Sequence, residues 1–432
     1  MRYVSLLLAV LFLAIPLSAA DQWPQWRGPN LDGTVAGSAP TVWSRDAGIV
    51  WRVELPGAAA STPAVWGDHI FLTSAAAKKG GAAAENAEAD DAAADESIVL
   101  LALDRATGKE VWRRQVDDKN YAKRGVETNA ASPSPSTDGT HVWVFTGNGT
   151  LAAYTVDGKT EVWRRDLQKE FGEFDMFFGM SSTPVLHDGR LYLALLHTGA
   201  QIVLAVDAET GKDVWKIDRP HKSRAENLHS YASPVIAGGE QLIIHGADVA
   251  TAHSLTDGSE IWRLGGLQDP ENYNDFLRFV ATPVVSGDLA IIPSAKNGPV
   301  AAVNWKKAKG DVTDKVVWKI DRGTPDVPSP VVYNGILYLS RENGILQTYD
   351  LATGTEIYAE RVHNTRHRGS PVAAGGHVYL SGHDGVVSVV KAGRKLDIVS
   401  QNDVGELLSA SPVVVDGRLY VRTYEALYAI GE

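Results

Sequence analysis

Three polar segments combine side chains that can bind a polar or charged ligand: RAENLHSY (Arg224–Tyr231), ENYNDFLRF (Glu271–Phe279) and HNTRHRG (His363–Gly369). Guanidinium groups pair with carboxylates and phosphates, amides both donate and accept, and imidazoles titrate near neutral pH. One interpretation is a polar pocket formed by Arg224, Asn227, His229, Asp275, Arg278, His363, Arg366, His367 and Arg368. The alternative is a solvated rim whose charges pair with one another.

A fourth segment, EFDMFFGM at Glu173–Met180, is apolar instead. Its phenylalanines, Phe174, Phe177 and Phe178, have large apolar surfaces, and its methionines adapt to irregular contacts. These side chains either pack across the centre of the fold or contact a protein partner. The sequence leaves both interpretations open.

The sequence lacks the motifs that would place a catalytic or metal centre. It contains no GxSxG, HExxH, EF-hand or Walker sequence. Gly147-Asn148-Gly149 is interpreted as a turn, and His363 and His367 lie in a loop rather than at zinc-binding positions of a helix. The chain has no cysteine, which excludes disulfides and thiol chemistry. We therefore predict no catalytic residues and no metal ligands.

A repeated hairpin must position these segments. LLALDRATGKEVW at Leu100–Trp112 has the pattern of a strand, a turn with Gly108 at positive φ, and a returning strand. LAVDAETGKDVW at Leu204–Trp215 nearly repeats it. A lone hairpin is marginal in water and cannot bury so large an indole. We therefore predict that neighbouring units bury the structural tryptophans Trp51, Trp112, Trp163, Trp215, Trp262 and Trp318.

A second signature accompanies the hairpin: a Ser/Thr-Pro pair, alternating apolar residues, a tight turn and a β-rich run. Copies begin at Ser61, Ala131, Ser182, Ala232, Ala281, Pro328, Gly369 and Ala410. Repeats of 40–50 residues with four short strands each are typical of β-propellers. The sequence predicts an all-β, eight-bladed β-propeller of four-stranded antiparallel blades.

The two faces of this propeller differ in their loops. With strands lettered A to D outward from the axis, the A–B and C–D turns share one face and are tight, except for an insertion near Lys306–Lys315. The B–C turns and the long D–A links share the opposite face, which also receives the polar and phenylalanine-rich segments. Because loops on a rigid scaffold usually carry binding, we predict that this long-loop face is functional.

The chain ends carry further signals. Residues 1–20 are typical of a secretory signal peptide, and residues 21–48 are predicted to be an extended segment whose Trp23 and Trp26 plug the side or base of the propeller. The propeller is predicted to span residues 49–432. Ile49–Val53 resembles a missing outermost strand, so this N-terminal strand is expected to close the last blade. Residues 75–97, rich in Ala, Gly and acids, are predicted to be a disordered insertion.

Charge and composition limit the partners. The net charge of −11 argues against nucleic acid and against anionic lipid. No transmembrane segment is expected after removal of the signal peptide, so the mature chain is predicted to be extracytoplasmic, either periplasmic or secreted. We predict a monomer whose partner is a protein.

The AxDxxTGxxxW pattern resembles the repeat of PQQ-type β-propellers. It is carried by Ala102, Asp104, Thr107, Gly108 and Trp112, and again by Ala205, Asp207, Thr210, Gly211 and Trp215. The resemblance covers nearly all of Val42–Ile430, and it implies eight blades with a tryptophan docked between neighbouring blades. The opening WPQWRGPNLDG is similar to that of many secreted bacterial proteins of this group.

Two branches of the family imply different functions. The quinoprotein alcohol dehydrogenases hold PQQ against a vicinal disulfide and a Ca²⁺ site, whereas this chain has no cysteine and no recognisable calcium set. The outer-membrane-protein assembly factor branch, a non-enzymatic periplasmic scaffold, fits the chain's size and bare propeller better, although its members usually carry a lipid-accepting cysteine. We predict a non-catalytic protein-binding scaffold without cofactor. The alternative is a PQQ- and Ca²⁺-dependent alcohol or sugar dehydrogenase.

Overall fold

The computed structural model describes residues 22–77, 96–121, 127–269 and 271–431. These residues form eight β-sheets whose innermost strands pack side by side around a central axis. The predicted all-β, eight-bladed propeller is therefore confirmed. Among the described residues, no helix is long and apolar enough to cross a membrane.

Each blade is an antiparallel meander numbered here in chain order. Blade 1 contains β3 (Ala64–Trp66), β4 (His69–Ala77), β5 (Glu96–Asp104) and β6 (Glu110–Asp117). Blade 2 contains β7 (Ser136–Thr137), β8 (His141–Phe145), β9 (Thr150–Thr155) and β10 (Glu161–Asp166), followed by α1 (Leu167–Phe171). Blade 3 contains β11 (Val185–His187), β12 (Arg190–His197), β13 (Ala200–Asp207) and β14 (Asp213–Asp218). A 3₁₀ turn (Ala225–Leu228) lies in the link to blade 4.

The next three blades repeat this plan. Blade 4 contains β15 (Val235–Ala237), β16 (Gln241–Gly246), β17 (Val249–Ser254) and β18 (Glu260–Leu264). Blade 5 contains β19 (Val284–Ser286), β20 (Leu289–Pro293) and β21 (Val300–Asn304), then β23 (Trp318–Ile320). Blade 6 contains β24 (Val331–Tyr333), β25 (Ile336–Ser340), β26 (Ile345–Asp350) and β27 (Glu356–Arg361).

The last two blades complete the ring. Blade 7 contains β28 (Val372–Ala374), β29 (His377–Ser381), β30 (Val386–Lys391) and β31 (Ile398–Asp403). Blade 8 contains β32 (Val413–Val415), β33 (Arg418–Arg422) and β34 (Ala426–Ile430), and its outermost strand is the N-terminal β2 (Ile49–Glu54). Strand β2 pairs antiparallel with β34, for example Trp51 with Ala429. The predicted closure by an N-terminal strand is confirmed.

Two short strands were not predicted. β1 (Thr34–Val35) adds in parallel to the inner edge of blade 7, where Ala373 donates its N–H to the carbonyl of Gly33. β22 (Gly310–Asp311), within the C–D insertion of blade 5, adds in parallel to the outer edge of blade 4. The sheets of blades 7 and 4 therefore have five strands. Each added strand covers backbone groups that would otherwise be unpaired at the edge of the sheet.

The tight turns follow from their residue types. Pairs such as Asp188-Gly189 and Asn334-Gly335 both adopt positive φ, as type I′ hairpins require. In the C–D turns, the Asp104 carboxylate accepts hydrogen bonds from the N–H and the hydroxyl of Thr107 at 2.8 and 2.6 Å. The Thr107 bonds lower the pKa of Asp104. These bonds explain why the repeat keeps Asp and Thr three residues apart.

The outer-strand tryptophans dock on the next blade. Trp112 donates Nε1–H to the Val156 carbonyl at 3.0 Å and covers Gly158, where an added Cβ would lie 2.4 Å from the indole. Equivalent bonds join Trp51 to Arg105, Trp163 to Ala208, Trp215 to Leu255 and Trp318 to Leu351. Trp215 and Trp318 are buried, and Trp51, Trp112 and Trp163 are half-buried.

Trp262 is fully buried but departs from this pattern. Its Nε1 donates to Oε1 of Gln241, and Nε2 of Gln241 donates to the carbonyl of Trp305 in blade 5. Trp305 occupies the position in the C–D turn of blade 5 that other blades fill with a smaller residue. Trp262 does not bond directly to the carbonyl of Trp305, and the Gln241 amide bridges blades 4 and 5 instead.

The N-terminal segment lies at the base of the central opening rather than in an extended conformation. The chain turns repeatedly over residues 25–33, with Arg27, Gly28, Leu31 and Gly33 at positive φ. The segment fills a round opening and does not run along a sheet, so its backbone turns back on itself. The prediction of an extended conformation is therefore wrong for these residues. Trp23 is fully buried against Val65 of β3.

The insertion in blade 1 is shorter than predicted. Strands β4 and β5 continue through residues 75–77 and 96–97, and Ala77 pairs with Glu96. Small alanines allow these residues to extend the hairpin over the neighbouring loops, which a composition argument does not detect. The remainder of the predicted disordered segment, residues 78–95, lies outside the described residues, as does the predicted signal peptide.

Candidate functional site

A funnel runs along the axis and opens on the long-loop face. Its cavity volume is about 190 Å³. Phe178, Tyr231, Val280 and Val327 line its upper wall, and small hydroxyl residues line its lower wall. The half-buried Trp26 lies at its inner end.

A ring of hydroxyl groups encircles the funnel. Each blade contributes the Ser or Thr of its Ser/Thr-Pro pair, and all of these side chains line the cavity: Thr62, Ser134, Thr183, Ser233, Thr282, Ser329, Ser370 and Ser411. In seven of the eight residues, from Thr62 to Ser370, the backbone N–H donates to the hydroxyl of the next blade at 2.9–3.1 Å. The repeated dipeptide therefore joins successive blades at the axis.

The N-terminal segment closes the opposite end of the funnel. Pro24 accepts a hydrogen bond from the N–H of Thr137, and the Gln25 amide bonds to both backbone groups of Leu186. The Arg27 guanidinium, only 5% exposed, donates to the carbonyls of Pro330 and Pro371 at 2.5 and 2.9 Å. These bonds tie the segment to blades 2, 3, 6 and 7. Burial lowers the pKa of Arg27 to about 10, so it remains a cation at neutral pH.

A network of paired charges, here called the rim network, lies at the funnel mouth; most of it comes from the loops of blades 4 to 7, and Glu127 comes from the link between blades 1 and 2. Its members are Glu127, Glu226, Arg278, Lys296, Asp326, Glu342, Arg366 and Arg368. Arg368 lies 3.0 Å from Glu127 and 3.4 Å from Glu342. Arg366 lies 2.9 Å from Glu127. The Glu127 carboxylate thus accepts from two guanidinium groups of one link.

The rest of the rim network is centred on Asp326. Arg278 lies 3.6 Å from Asp326 and 3.5 Å from Glu226, and Lys296 lies 3.3 Å from Asp326 and 2.7 Å from Glu342. Burial and the neighbouring Glu342 raise the pKa of Asp326. Burial also raises the pKa of Glu342, but the Lys296 ammonium and other partners lower it by more. The four cations and four carboxylates balance, so the rim is tightly paired.

Aromatic side chains flank the rim network. The Arg278 guanidinium stacks over Phe178 at 4.6 Å, and Phe178 lies 6.0 Å from the Tyr231 ring. Phe177 meets His229 edge-on at 5.1 Å and is 54% exposed. Phe174 packs instead against His197 at 5.3 Å. The phenylalanine-rich loop therefore has both an inward-packed and an exposed part.

The structure separates the sequence-predicted polar residues into three groups. Arg278, Arg366 and Arg368 belong to the rim network. Arg224 and Asp275 form an ion pair of 2.6 Å over Tyr273. Asn227, fully buried, donates to the Asn274 carbonyl and accepts from the N–H of Leu277, so it holds two links together.

The predicted histidines form local contacts away from the funnel lining. His229 bonds to the Thr198 hydroxyl at 2.9 Å, His363 to Asp384 at 2.8 Å and His367 to the Ser340 hydroxyl at 2.9 Å. Burial lowers the pKa of His367 to about 4. Among the described residues, no group of three or more His, Asp or Glu side chains is arranged to hold a metal ion.

Sequence reasoning missed the carboxylates of the rim network, Lys296 and the hydroxyl ring. Glu127, Asp326 and Glu342 come from three different connections, and only closure of the ring brings them together. The hydroxyl ring did have a sequence signal. The Ser or Thr before each repeated proline is visible in the sequence, but the sequence analysis did not infer that these residues meet at the axis.

Comparison with known proteins identifies the family. The family model described as outer membrane protein assembly factor BamB matches residues 95–360 and residues 309–432, which is most of the chain. The chain belongs to the BamB family. Its curated relatives include BamB of Yersinia pestis, 23% identical over 313 residues, which covers 63% of this chain and 75% of the relative. BamB of Moranella endobia is 25% identical over 284 residues, covering 62% and 67% of the two chains.

Solved structures share the propeller. BamB from Moraxella catarrhalis superposes with a TM-score of 0.64 at 14% identity, over 88% of this chain and 99% of that one. Quinohemoprotein alcohol dehydrogenase from Comamonas testosteroni gives 0.69 at 12% identity, over 95% and 80%. At these identities the likeness shows the fold alone. Membership in the BamB family thus rests on the sequence match, and it confirms the predicted resemblance.

Proposed function

We propose that this chain is a non-catalytic scaffold for the assembly of outer membrane proteins, and that it binds a protein partner through the long-loop face. The proposal takes its biological setting from the BamB family match. The observation that carries the binding face is the pair of exposed phenylalanines, Phe177 and Phe276, beside the rim network. In this proposal the chain acts as a monomer in an extracytoplasmic compartment.

The exposed phenylalanines have the character of interface anchors. Phe177 is 54% and Phe276 67% exposed, and they project from the links between blades 2 and 3 and between blades 4 and 5. Exposed aromatic side chains next to arginines are enriched at the centres of protein interfaces. Because a partner removes their surface from water, each phenylalanine stabilises a complex more than a solvated polar group would.

The rim network supports a role in specificity. Its charges already pair with one another, so a partner need not neutralise an isolated charge in order to dock. Ion pairs on the rim of an interface mainly affect orientation and association rate. We therefore assign the binding energy to the phenylalanines and the orientation of the partner to the charges.

Site-specific photo-crosslinking in the native host tests this function. A photoreactive amino acid replaces Phe177 or Phe276 in one pair of variants, and Val111 or Val214 on exposed outer strands in a control pair. We expect crosslinks from the loop positions to an outer membrane β-barrel protein or to another assembly component, identified by mass spectrometry. The outer-strand positions should give at least fivefold less of the same product.

Two results would contradict the proposal. Equal crosslinking of the same partner from the outer strands would show that the long-loop face is not the binding surface. Alcohol-dependent dye reduction by the purified protein with added PQQ and Ca²⁺ would show catalysis and favour the dehydrogenase alternative.

A further inference from the structure

A groove lies on the tight-turn face of the propeller, opposite to the long-loop face that the proposed function uses. It lies beside the N-terminal segment at blades 1 to 3, and its volume is about 780 Å³, larger than that of the funnel. The A–B turns of blades 2 and 3 and the C–D turn of blade 3 contribute to its walls. The function proposed above leaves this groove without a role.

Proline, leucine and tryptophan side chains give the groove apolar surface. They belong to Pro24, Pro29, Leu31, Trp66, Trp143 and Leu186. Trp143 is buried and donates Nε1–H to the Ala208 carbonyl at 2.8 Å, so its indole is fixed. Trp66 is only half-buried, and its indole covers Gly139 in the A–B turn of blade 2. A half-buried aromatic ring in a groove leaves apolar surface that a partner can cover.

The N-terminal segment forms one wall of the groove, and hydrogen bonds fix that wall. The N–H of Thr137 donates to the Pro24 carbonyl at 2.9 Å. The side-chain amide of Gln25 bonds to both backbone groups of Leu186 at 2.8 and 3.0 Å, and Gln25 is buried. Because the wall is already in place, a partner that docks here needs to order little of this chain, and less binding free energy is lost to entropy.

The charged lining of the groove is mainly acidic. One guanidinium, that of Arg190, accompanies four carboxylates: Asp138, Asp188, Asp207 and Glu209. Within the described part of the chain, none of these carboxylates forms an ion pair with a lysine or an arginine, and Asp188 lies 3.5 Å from the His187 imidazole. In the rim network, by contrast, cations and carboxylates balance. The groove therefore carries an excess of negative charge, which favours a cationic partner.

We propose that this groove binds an extended segment of a partner protein that carries lysine or arginine side chains. Such a side chain combines an apolar stem with a cationic end. The stems pack on Trp66 and the other apolar residues of the groove, and the cationic ends pair with Asp188 and Glu209. In an extended segment, alternate side chains point the same way and lie roughly 7 Å apart, so two basic residues can reach the carboxylates together. This site does not depend on the function proposed for the long-loop face.

Isothermal titration calorimetry with the purified chain tests the class of partner. The probes are the peptide acetyl-Gly-Lys-Val-Lys-Gly-amide, the same peptide with norleucine for both lysines, which keeps the stems without the charges, and spermidine, a polyamine without a peptide backbone. We expect the lysine peptide to bind at least tenfold more tightly than the norleucine peptide, and more tightly than spermidine. No binding of the lysine peptide at millimolar concentration, or equal binding of the norleucine peptide, would overturn the proposal. Equal or tighter binding of spermidine would identify a free polyamine as the occupant and would also overturn it.

Paired variants separate this site from general attraction to an acidic protein. Asp188→Asn/Glu209→Gln changes two exposed side chains, and asparagine tolerates the positive φ of position 188. This double variant should weaken binding of the lysine peptide at least fivefold, because it removes two ion pairs. Asp314→Asn/Asp397→Asn is the matched control, since it removes as much charge from exposed positions in the C–D turns of blades 5 and 7, and its effect should stay below twofold. Equal loss of affinity in the two double variants would overturn the assignment.

Discussion

At the scale of single residues, the Ser/Thr-Pro pair answers a problem at the inner edge of each blade. Except where the N-terminal segment covers it, as at Val65 and Ala373, the inner edge of a blade has no neighbouring strand, so its backbone N–H groups need other partners. Proline has no N–H, and it holds the residue before it in an extended conformation. The remaining N–H, such as that of Ser233, donates to the hydroxyl of the next blade. This dipeptide therefore leaves no unpaired backbone N–H at its position on the inner edge, and it also joins neighbouring blades.

Trp215 allows a test of the contacts between blades. It is 8% exposed, donates to the Leu255 carbonyl at 3.0 Å and covers Gly258. Trp215→Ala should lower the free energy of unfolding by roughly 3–5 kcal/mol, because it removes buried apolar surface and leaves a cavity. Denaturant titration measures this change.

Val214→Ala is the matched control, because Val214 lies next to Trp215 on the same strand and is 38% exposed. It should change the free energy of unfolding by less than about 1 kcal/mol. Equal destabilisation by the two substitutions would contradict the docking role of the indole.

At the scale of elements, the hairpin of β4 and β5 shows where the sequence pattern stops being informative. Ala75 to Ala77 carry no alternation of polar and apolar residues, yet they pair with Glu96 to Ile98. Their conformation is set by the partner strand and not by their own side chains. The same limit applies to β1 and β22, whose short sequences become strands only because a sheet edge lies beside them.

Deletion of residues 78–95 tests the role of the insertion. Ala77 and Glu96 lie opposite each other, so a two-residue Gly-Ser turn can join them as a hairpin. The deleted sequence has few large apolar residues to bury. We expect the melting temperature to stay within a few degrees of the full chain.

The matched comparison deletes residues 75–97, which also removes the cross-strand pairs of Ala75, Ala76 and Ala77. This larger deletion should lower the melting temperature more than the smaller one does. If the smaller deletion alone causes a large decrease, the insertion contributes to stability, contrary to our prediction.

At the scale of the whole molecule, the repeats in the sequence predict the blades and their number. Contacts between distant segments form only when the ring closes, and the repeats do not predict them. Eight copies of one signature were sufficient for the blade number, and the missing last strand indicated its replacement by Ile49–Val53, which the structure extends to Ile49–Glu54. The rim network could not be predicted in this way. Glu127 and Arg366 are 239 residues apart in the chain, and nothing local in either segment indicates the other.

Buried histidines predict a dependence of stability on pH. Burial lowers the pKa of His197, His253 and His367 to about 4 and that of His245 to about 3. In the unfolded chain, histidine binds a proton below about pH 6.5. Between about pH 6.5 and 4 the unfolded state therefore binds more protons, and the free energy of unfolding decreases as the pH falls. Above pH 6.5 these groups should have no effect.

Denaturant midpoints measured from pH 7.5 to 4.5 check this expectation. At full slope, each histidine contributes roughly 1.4 kcal/mol per pH unit. His253→Gln retains a side chain that can bond to Thr251 and Gly258 but does not titrate, so it should reduce the slope. His221→Gln, at an exposed position, is the control and should leave the slope unchanged. A profile that is flat between pH 6.5 and 5 would contradict the prediction.

The hydrogen bonds between the two ends of the chain have a consequence for the order of folding during synthesis. Arg27 bonds to blades 6 and 7, and β2 pairs with β34, so the residues made early find these partners only after nearly all the others have been made. Contacts between such distant parts of a chain form slowly. A nascent chain that stops before Ala426 leaves β2 without its partner and the ring open, with unpaired strand edges that favour aggregation or proteolysis. Because these contacts join the two ends of the chain, the propeller can close only after synthesis is nearly complete.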